Sequence, residues 1–472
     1  MFIDMVSTLD DFIWGWVASI LIFAIGIFFS FYFRVPWARM FKQMFRAVKS
    51  KTEGDGVSAW KTLCAVIGGQ VATGNVVGVA TAIASGGPGA LFWMWVTALL
   101  GMTTMAVETV LAQLYKEKNP DGTYRGGIAY YISSGLKWAW LAVPAAFFIS
   151  MDGIVSPMLH ISALYSSINN VIPSSPLLIG VVLVGAVCVI HIGGFKRIGE
   201  VMSKVVPFMC AAYVLLAIFI LLTNIGAVPQ MFGMVFSCAF SARAVIGGAA
   251  GYAIQKAFRY GMARGIFSNE AGQGTTANIS ASASCRHPVT QGLLGSFGVA
   301  VDTLLVCSAT GIIILLSGAD YTTLSGASLV QEAFTHFLGG AGPTFIAVTL
   351  FFFIFTTLIT STYIGQVNFK YLFKSKTAFW IYFAVQMSLA ALSAYLSNDT
   401  VFLFVDLMCG FNVIFNVVAM AFLFKKAKSC FNDYEAKLKA GDTDPLFDWK
   451  TFRISEGLEP FEATPAQAKK EQ

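Results

Sequence analysis

The sequence predicts an all-α polytopic membrane protein with about eleven transmembrane helices. Three observations predict it. Of 472 residues, 56% are hydrophobic and only 12% charged, where a soluble chain carries roughly twice that charge. Apolar runs of helix-spanning length recur along most of the chain. The runs are far longer than about ten residues and do not alternate, which argues against a membrane barrel. The eight cysteines are dispersed without CxxC pairs, so a disulfide framework or zinc site finds no support. The net charge of +6 sits in loops and the tail, where a loop bias explains it and nucleic-acid binding is not implied.

The elements follow in order. The first run, 12–33, comes after MFIDMVSTLDD, which has no basic n-region, and it is too long for a signal peptide; an uncleaved span is expected. Further spans are expected at 62–84, 88–114, 138–160, 176–193 and 200–223. An irregular segment, 244–284, precedes spans at 291–317, 343–369, 377–396 and 400–424. Loop charges test this count. Arg34, Arg39, Lys42, Arg46, Lys49 and Lys51 crowd the first loop, and Lys116, Lys118, Arg125 and Lys137 the third. Lys196, Arg197 and Lys204 follow, then Arg286, then Lys370, Lys374 and Lys376, while loops 161–175, 318–342 and 397–399 hold no Lys or Arg. By the positive-inside rule the N-terminus lies outside and the C-terminus in the cytoplasm. Arg243, Lys256, Arg259 and Arg264 suggest an amphipathic stretch before the seventh crossing. The tail, 425–472, is charged and carries Pro445, Pro460 and Pro465. It is too short and polar for a second domain, so one membrane domain, 1–424, precedes a cytoplasmic tail.

Two spans look broken. One is IGGQVATGNV (67–76). The other is GIFSNEAGQGTTANIS (265–280), where Ser268, Asn269, Glu270, Gln273, Thr275, Thr276 and Asn278 surround three glycines. In lipid every backbone N–H and C=O needs a partner, so broken helices persist only where they line a buried or watery cavity. Close helix packing explains isolated glycines such as Gly78, Gly86 or Gly101. It does not require Asn75, Asn269 and Glu270 at mid-depth. The two breaks stand five crossings apart, in corresponding positions of two halves, which is the pointer to a transporter built from inverted repeats. Spans 62–223 form the first repeat and 244–424 the second, with 12–33 as an extra N-terminal helix.

The stretch TGNVVGVATAIASGGPGALFWMWVTALLGM (73–102), Glu108 and RGIFSNEAGQG (264–274) resemble the alanine or glycine:cation symporter family. HPVTQGL (287–293), Asp302 in FGVAVDTLLVC and FTTLI (355–359) continue the likeness across the membrane region. The resemblance implies sodium-coupled uptake of a small neutral amino acid on the leucine-transporter fold, in a prokaryotic inner membrane, with no organic cofactor and as a monomer. Carried over residue by residue, Ala72, Thr73 and Gly74 would present N–H groups to the substrate carboxylate, where a half-helix N-terminus suits an anion. Asn75 would hold that break open or touch an ion. Carbonyls of Gly68, Val71 and Phe353 with the hydroxyls of Thr356 and Thr357 would hold sodium, a hard cation that takes oxygen ligands. Back-bonding to carbonyls one turn earlier is the alternative use of those two hydroxyls. Phe267, Ser268 and Asn269 would surround the ammonium and side chain.

A mid-bilayer carboxylate costs about 3 kcal/mol and normally has a partner. Glu108 and Glu270 are expected to brace the breaks by accepting hydrogen bonds from exposed N–H groups. Asp152, Asp302 and Asp406 are open between pairing and proton carriage. His160, His191, His287 and His336 are read as satisfied polar groups near span ends. The chain departs from the family at Thr360, Ser361, Thr362 and Tyr363, which stand where a Gly-Trp pair and tyrosines are usual. Ser280 replaces a histidine, and Cys409-Gly410 and Phe415-Asn416 replace Asn-Gly and Pro-Asn. Ser361 in place of a tryptophan implies a roomier, more polar pocket that admits serine, threonine or glutamine.

Rival readings are a proton-coupled transporter, an ion channel and a membrane receptor. The channel lacks a filter motif, and the receptor lacks an output domain. The glycine-rich stretch has no GK[ST] ending, so no phosphate loop is expected. There is no HExxH and no nucleophile–base arrangement, so an enzyme is not expected.

Overall fold

The computed structural model describes residues 2–52, 56–119, 122–240 and 249–461. Among these, eight helices are long and apolar enough to cross a membrane, or nine if one bent pair forms a single span. In chain order the principal helices begin with α1 (Ile3–Tyr32) and the short α2 (Phe41–Ala47). The bent pair is α3 (Ala59–Gln70) and α4 (Gly74–Gly86), followed by α5 (Gly89–Leu114). A two-stranded hairpin, β1 (Glu117–Lys118) with β2 (Tyr124–Arg125), leads to α6 (Ala139–Asn169). Next come α7 (Pro176–His191), α8 (Gly194–Thr223) and α9 (Ile225–Phe240). The second broken pair is α10 (Ala249–Asn269) and α11 (Thr275–Ala281). Then follow α12 (Pro288–Ser317), α13 (Gly326–Leu338), α14 (Gly342–Leu372), α15 (Lys376–Leu392), α16 (Asn398–Lys439) and α17 (Trp449–Ser455).

Local chemistry sets the helix ends. Ser58 caps α3 by accepting from the Lys61 N–H at 3.3 Å, and Ser375 does the same for α15 at Ala378. Pro288 opens α12 at the first helical position, where a missing N–H costs nothing. The His287 ring accepts from the Val289 N–H there, at 3.1 Å.

Several boundaries differ from the sequence reading. Helix α1 begins at Ile3 rather than 12, with Asp10 buried against protein and the exposed Asp11 paired with Arg259. Helix α16 runs through 424 to Lys439, so the expected domain boundary falls inside it. Beyond 424 it is held by an ion pair, Arg39 with Glu435 at 2.9 Å, and by a hydrogen bond from the His287 ring to Asp433 at 3.0 Å. Stretches read as loops contain α9 and α13, and α13 buries Leu329, Val330, Ala333 and Phe334 on one face. The irregular span, 244–284, consists of α10 and α11 around a break at residues 270–274; Arg243 and residues 244–248 lie outside the described residues.

The two broken pairs occupy the centre. Helix α5 lies against α10 and α12, and α3 against α8 and α14. Helix α6 runs along α14, and their backbones meet where an added Cβ on Gly153 would stand 2.5 Å from the Gly365 Cα. The tail does not stand apart from the bundle. Buried Arg453 on α17 donates to the Lys116 carbonyl at 3.0 Å, and Asp444 pairs with Arg286 at 3.2 Å.

Candidate functional site

The first break opens because Val71 turns to an extended conformation, ψ 94°, after its N–H closes α3 on the Ile67 carbonyl. The chain resumes helix at Gly74 with a π-helical turn, bent 47° from α3. Asn75 caps the gap, its Oδ1 accepting from the Ala72 N–H at 2.7 Å. The second break follows from backbone sign. Glu270 has φ 55°, and Gly272 and Gly274 each have φ 86°. A glycine takes that region without penalty, whereas a glutamate there is strained and needs support.

That support is specific. Glu270 Oε2 accepts from the Thr275 and Thr276 hydroxyls at 2.8 and 2.7 Å. The bracing role was expected to use exposed N–H groups, but at Glu270 the donors are side-chain hydroxyls of the next helix. Glu108 takes the N–H: its Oε2 accepts from Gly272 at 3.1 Å and from the Asn416 amide at 2.7 Å. Tyr131 donates in turn to Asn416. Glu108→Leu removes the one oxygen that both donors share. We expect it to destabilise the fold by about 1 kcal/mol, read as a small fall in melting temperature; an unchanged melt would remove Glu108 from this role.

The two breaks are joined. Gln70 donates to the Asn269 carbonyl at 2.7 Å. Asp302, fully buried in a π-helical stretch of α12, accepts from Asn75 at 2.5 Å on one oxygen. Its other oxygen accepts from Ser268 at 3.0 Å and Thr303 at 2.8 Å. One carboxyl group therefore holds residues of both breaks, a hub the sequence left undecided. Asn269 is spent locally, with Oδ1 accepting from Ala271 at 2.9 Å and Nδ2 donating to Thr303 at 3.2 Å.

Beside the first break, oxygens gather between α3 and α14. The Thr357 hydroxyl lies 3.0 Å from the Gly68 carbonyl and 3.1 Å from that of Phe353, and Thr356 lies 2.8 Å from Phe353. Four of the five expected ion ligands thus stand together, with back-bonding of both hydroxyls within the same cluster.

A cavity of about 20 Å³ sits between the breaks. That is close to the room one water centre needs, so entry of anything larger requires its walls to move. The expected residues Ala72, Gly74, Phe267, Thr357 and Ser361 line it. Thr73 stands behind, its hydroxyl 2.8 Å from the His160 ring. Asn75, Ser268 and Asn269 do not line the cavity; the first two serve the hub, and Asn269 holds Ala271 and Thr303. The walls also hold Asp152, Ser156 and His160 from α6, with Gln70, Glu270, Gln273 and Cys409. Asp152, Ser156 and His160 repeat every fourth residue, a spacing that puts them on one helix face. That signal was present in the sequence.

Toward the face that carries Asp10 lies a vestibule of about 580 Å³. A barrier separates it from the cavity. Arg264 binds Asp406 through two bonds of 2.8 and 2.6 Å, with both side chains about nine-tenths buried. The Phe402 ring lies 4.6 Å from the guanidinium and 5.6 Å from the Phe267 ring. Trp14 of α1 donates to the Asp406 carbonyl at 2.9 Å, and Asp11 pairs with Arg259. Asp406 is thus a paired group, and the first helix is part of the barrier.

Residues 1–449 match the family model described as the sodium:alanine symporter family. A putative sodium/proton-dependent alanine carrier of Bacillus subtilis (strain 168) is 38% identical over 471 residues, 96% of each chain. A probable sodium/glutamine symporter of the same organism is 34% identical, covering 96% of this chain and 95% of its own. A sodium/proton-dependent alanine carrier of Bacillus sp. (strain PS3) is 34% identical over 86% of this chain and 94% of its own. Among solved structures, a mutant manganese transporter of Eremococcus coleocola superposes with a TM-score of 0.50 at 15% identity. It covers 86% of this chain and 87% of its own, a likeness of fold.

Proposed function

The chain belongs to the sodium:alanine symporter family, and from that premise we propose that it imports a small neutral amino acid of the alanine type with sodium, by alternating access. It is an integral membrane transporter of amino acids, not an enzyme. The proposed topology has eleven spans, N-terminus outside and C-terminus in the cytoplasm of a prokaryotic inner membrane, with two five-helix inverted repeats after α1. The vestibule then faces outward, and the Arg264–Asp406 barrier closes the outer path.

The observation that carries the reading is the meeting of the two breaks. An added Cβ on Gly74 would stand 3.1 Å from the Ser268 Cα, so the opening N–H groups of α4 and the closing carbonyls of α10 are neighbours. The first pole suits a carboxylate and the second an ammonium. Thr73 and Gly74 supply the first pole, because the Ala72 N–H is already taken by Asn75. The C-terminal turn of α10, through Phe267 and Ser268, supplies the second. Sodium would lie among Gly68, Phe353, Thr356 and Thr357, with the hydroxyl lone pairs turned toward it. Thr357 borders both the oxygen cluster and the cavity, so ion and substrate share a wall. Binding of one then orders the site for the other, and that is the coupling.

Alanine uptake into proteoliposomes tests this. The expected result is accumulation driven by an inward sodium gradient, with competition from serine, threonine or glutamine because Ser361 leaves a polar, open wall. Competition from glycine and alanine alone would refute that specificity. The second reading is proton coupling, favoured by the carboxyl groups of Asp152 and Glu270 on the cavity wall. Uptake that follows a pH gradient without sodium would select it.

A further inference from the structure

The cavity is chemically lopsided. At one end are the helix poles and the Thr73–His160 contact. At the other, Asp152 is 6% exposed and Gln273 3% exposed, and Asp152 Oδ1 and Gln273 Oε1 are buried without a hydrogen-bond partner. Gln273 is held by its amide nitrogen on the Cys409 sulfur at 3.0 Å, and the Asp152 carboxyl group has the Gln273 side chain beside it and a long contact, 3.4 Å, from Asn412 to Oδ2. No Lys or Arg lines this cavity among the described residues. Leaving a buried acceptor unmade is costly. Two such atoms on one wall of one cavity are therefore a site for a donor.

The spacing along α6 decides which donor. His160, beside the carboxylate pole, and Asp152 are eight residues apart, a rise of about 12 Å at 1.5 Å per residue. The α-ammonium of an amino acid is attached to the carbon that bears the carboxylate, so it stays at the pole end. Only a side chain can cross toward Asp152. A hydroxyl on one carbon reaches the level of Ser156, midway, whereas an amide on a two-carbon stem extends two bonds further, toward Asp152.

We propose that Asp152 and Gln273 form a side-chain subsite that selects amino acids ending in an uncharged amide N–H. The subsite rests on the amino-acid reading of the cavity given above. Asp152 receives the amide hydrogens at Oδ1, Gln273 receives the second N–H at Oε1, and Ser156 and Ser361 flank the stem.

Binding of glutamine, serine, alanine and ornithine to the purified protein in saturating sodium tests the subsite. With Asp152→Ala, glutamine affinity should fall at least tenfold, serine less than threefold, and alanine should be unchanged. Gln273→Met should weaken glutamine selectively in the same way, and it serves if Asp152→Ala does not fold. An equal loss for alanine would place Asp152 on the ammonium or in the scaffold and overturn the subsite. Unchanged glutamine binding in both variants would overturn it too, as would ornithine binding the wild type more tightly than glutamine. Failure of the underlying reading looks different: the wild type would then bind no amino acid at all.

Discussion

Asp406→Asn should destabilise the protein by about 3–5 kcal/mol, the cost of leaving a buried guanidinium without its carboxylate. Arg264 and Asp406 are joined by two short bonds in a site about nine-tenths buried at the edge of the vestibule, so the stranded charge keeps little access to water. The measurement is thermal unfolding in detergent, where a fall of several degrees is expected. The double variant Arg264→Leu/Asp406→Leu separates stability from gating. Replacing a buried pair by apolar residues is commonly neutral or stabilising, so the double variant should melt near the wild type. It should nonetheless admit a cysteine reagent from the vestibule to the cavity, because the polar latch under Phe402 is gone. Wild-type melting of Asp406→Asn would show that the pair does not hold the barrier.

Thr357→Val should weaken sodium about ten- to a hundredfold, since a hydrogen bond or ligand contact to a charged group contributes about 1.5–3 kcal/mol. The valine matches the threonine in shape but removes the oxygen that stands 3.0 Å from the Gly68 carbonyl and 3.1 Å from that of Phe353. Helix α14 should keep its packing, so at saturating sodium the alanine affinity should recover most of its wild-type value. The check is a sodium titration of alanine binding for the variant beside the wild type. A sodium midpoint unchanged by the substitution would move the ion site elsewhere.

Much of this site was legible because lipid punishes irregular backbone. Glycines beside Asn75 and Asn269 marked both breaks, and the FTT run marked the hydroxyls that the structure brings to Gly68. The rest depends on partners distant in sequence. Arg264 looked like part of an amphipathic stretch until Asp406, 142 residues away, came within 2.6 Å. Asp302 looked like one of several stray carboxylates, and only packing shows it holding residues of both breaks. His160 is the satisfied polar group expected, but its place along the helix was misread for a simpler reason. The apolar run was cut at 160, but α6 continues to Asn169, so the ring lies mid-helix against Thr73 rather than at a span end. Ser268 was assigned to the substrate by its place in the motif, yet its side chain is occupied by Asp302; Asn75, expected at the break itself, takes the Ala72 N–H there and also reaches Asp302. Motif position fixes which backbone breaks; it does not fix which way a side chain points.

The central claim is that one broken helix serves ion and amino acid together, and linkage tests it most directly. Alanine binding to the purified protein should be measured by calorimetry across a sodium series, with choline keeping ionic strength constant. The account predicts that alanine tightens as sodium rises, and that alanine tightens sodium by the same factor. Equal alanine affinity in sodium and in choline would contradict it.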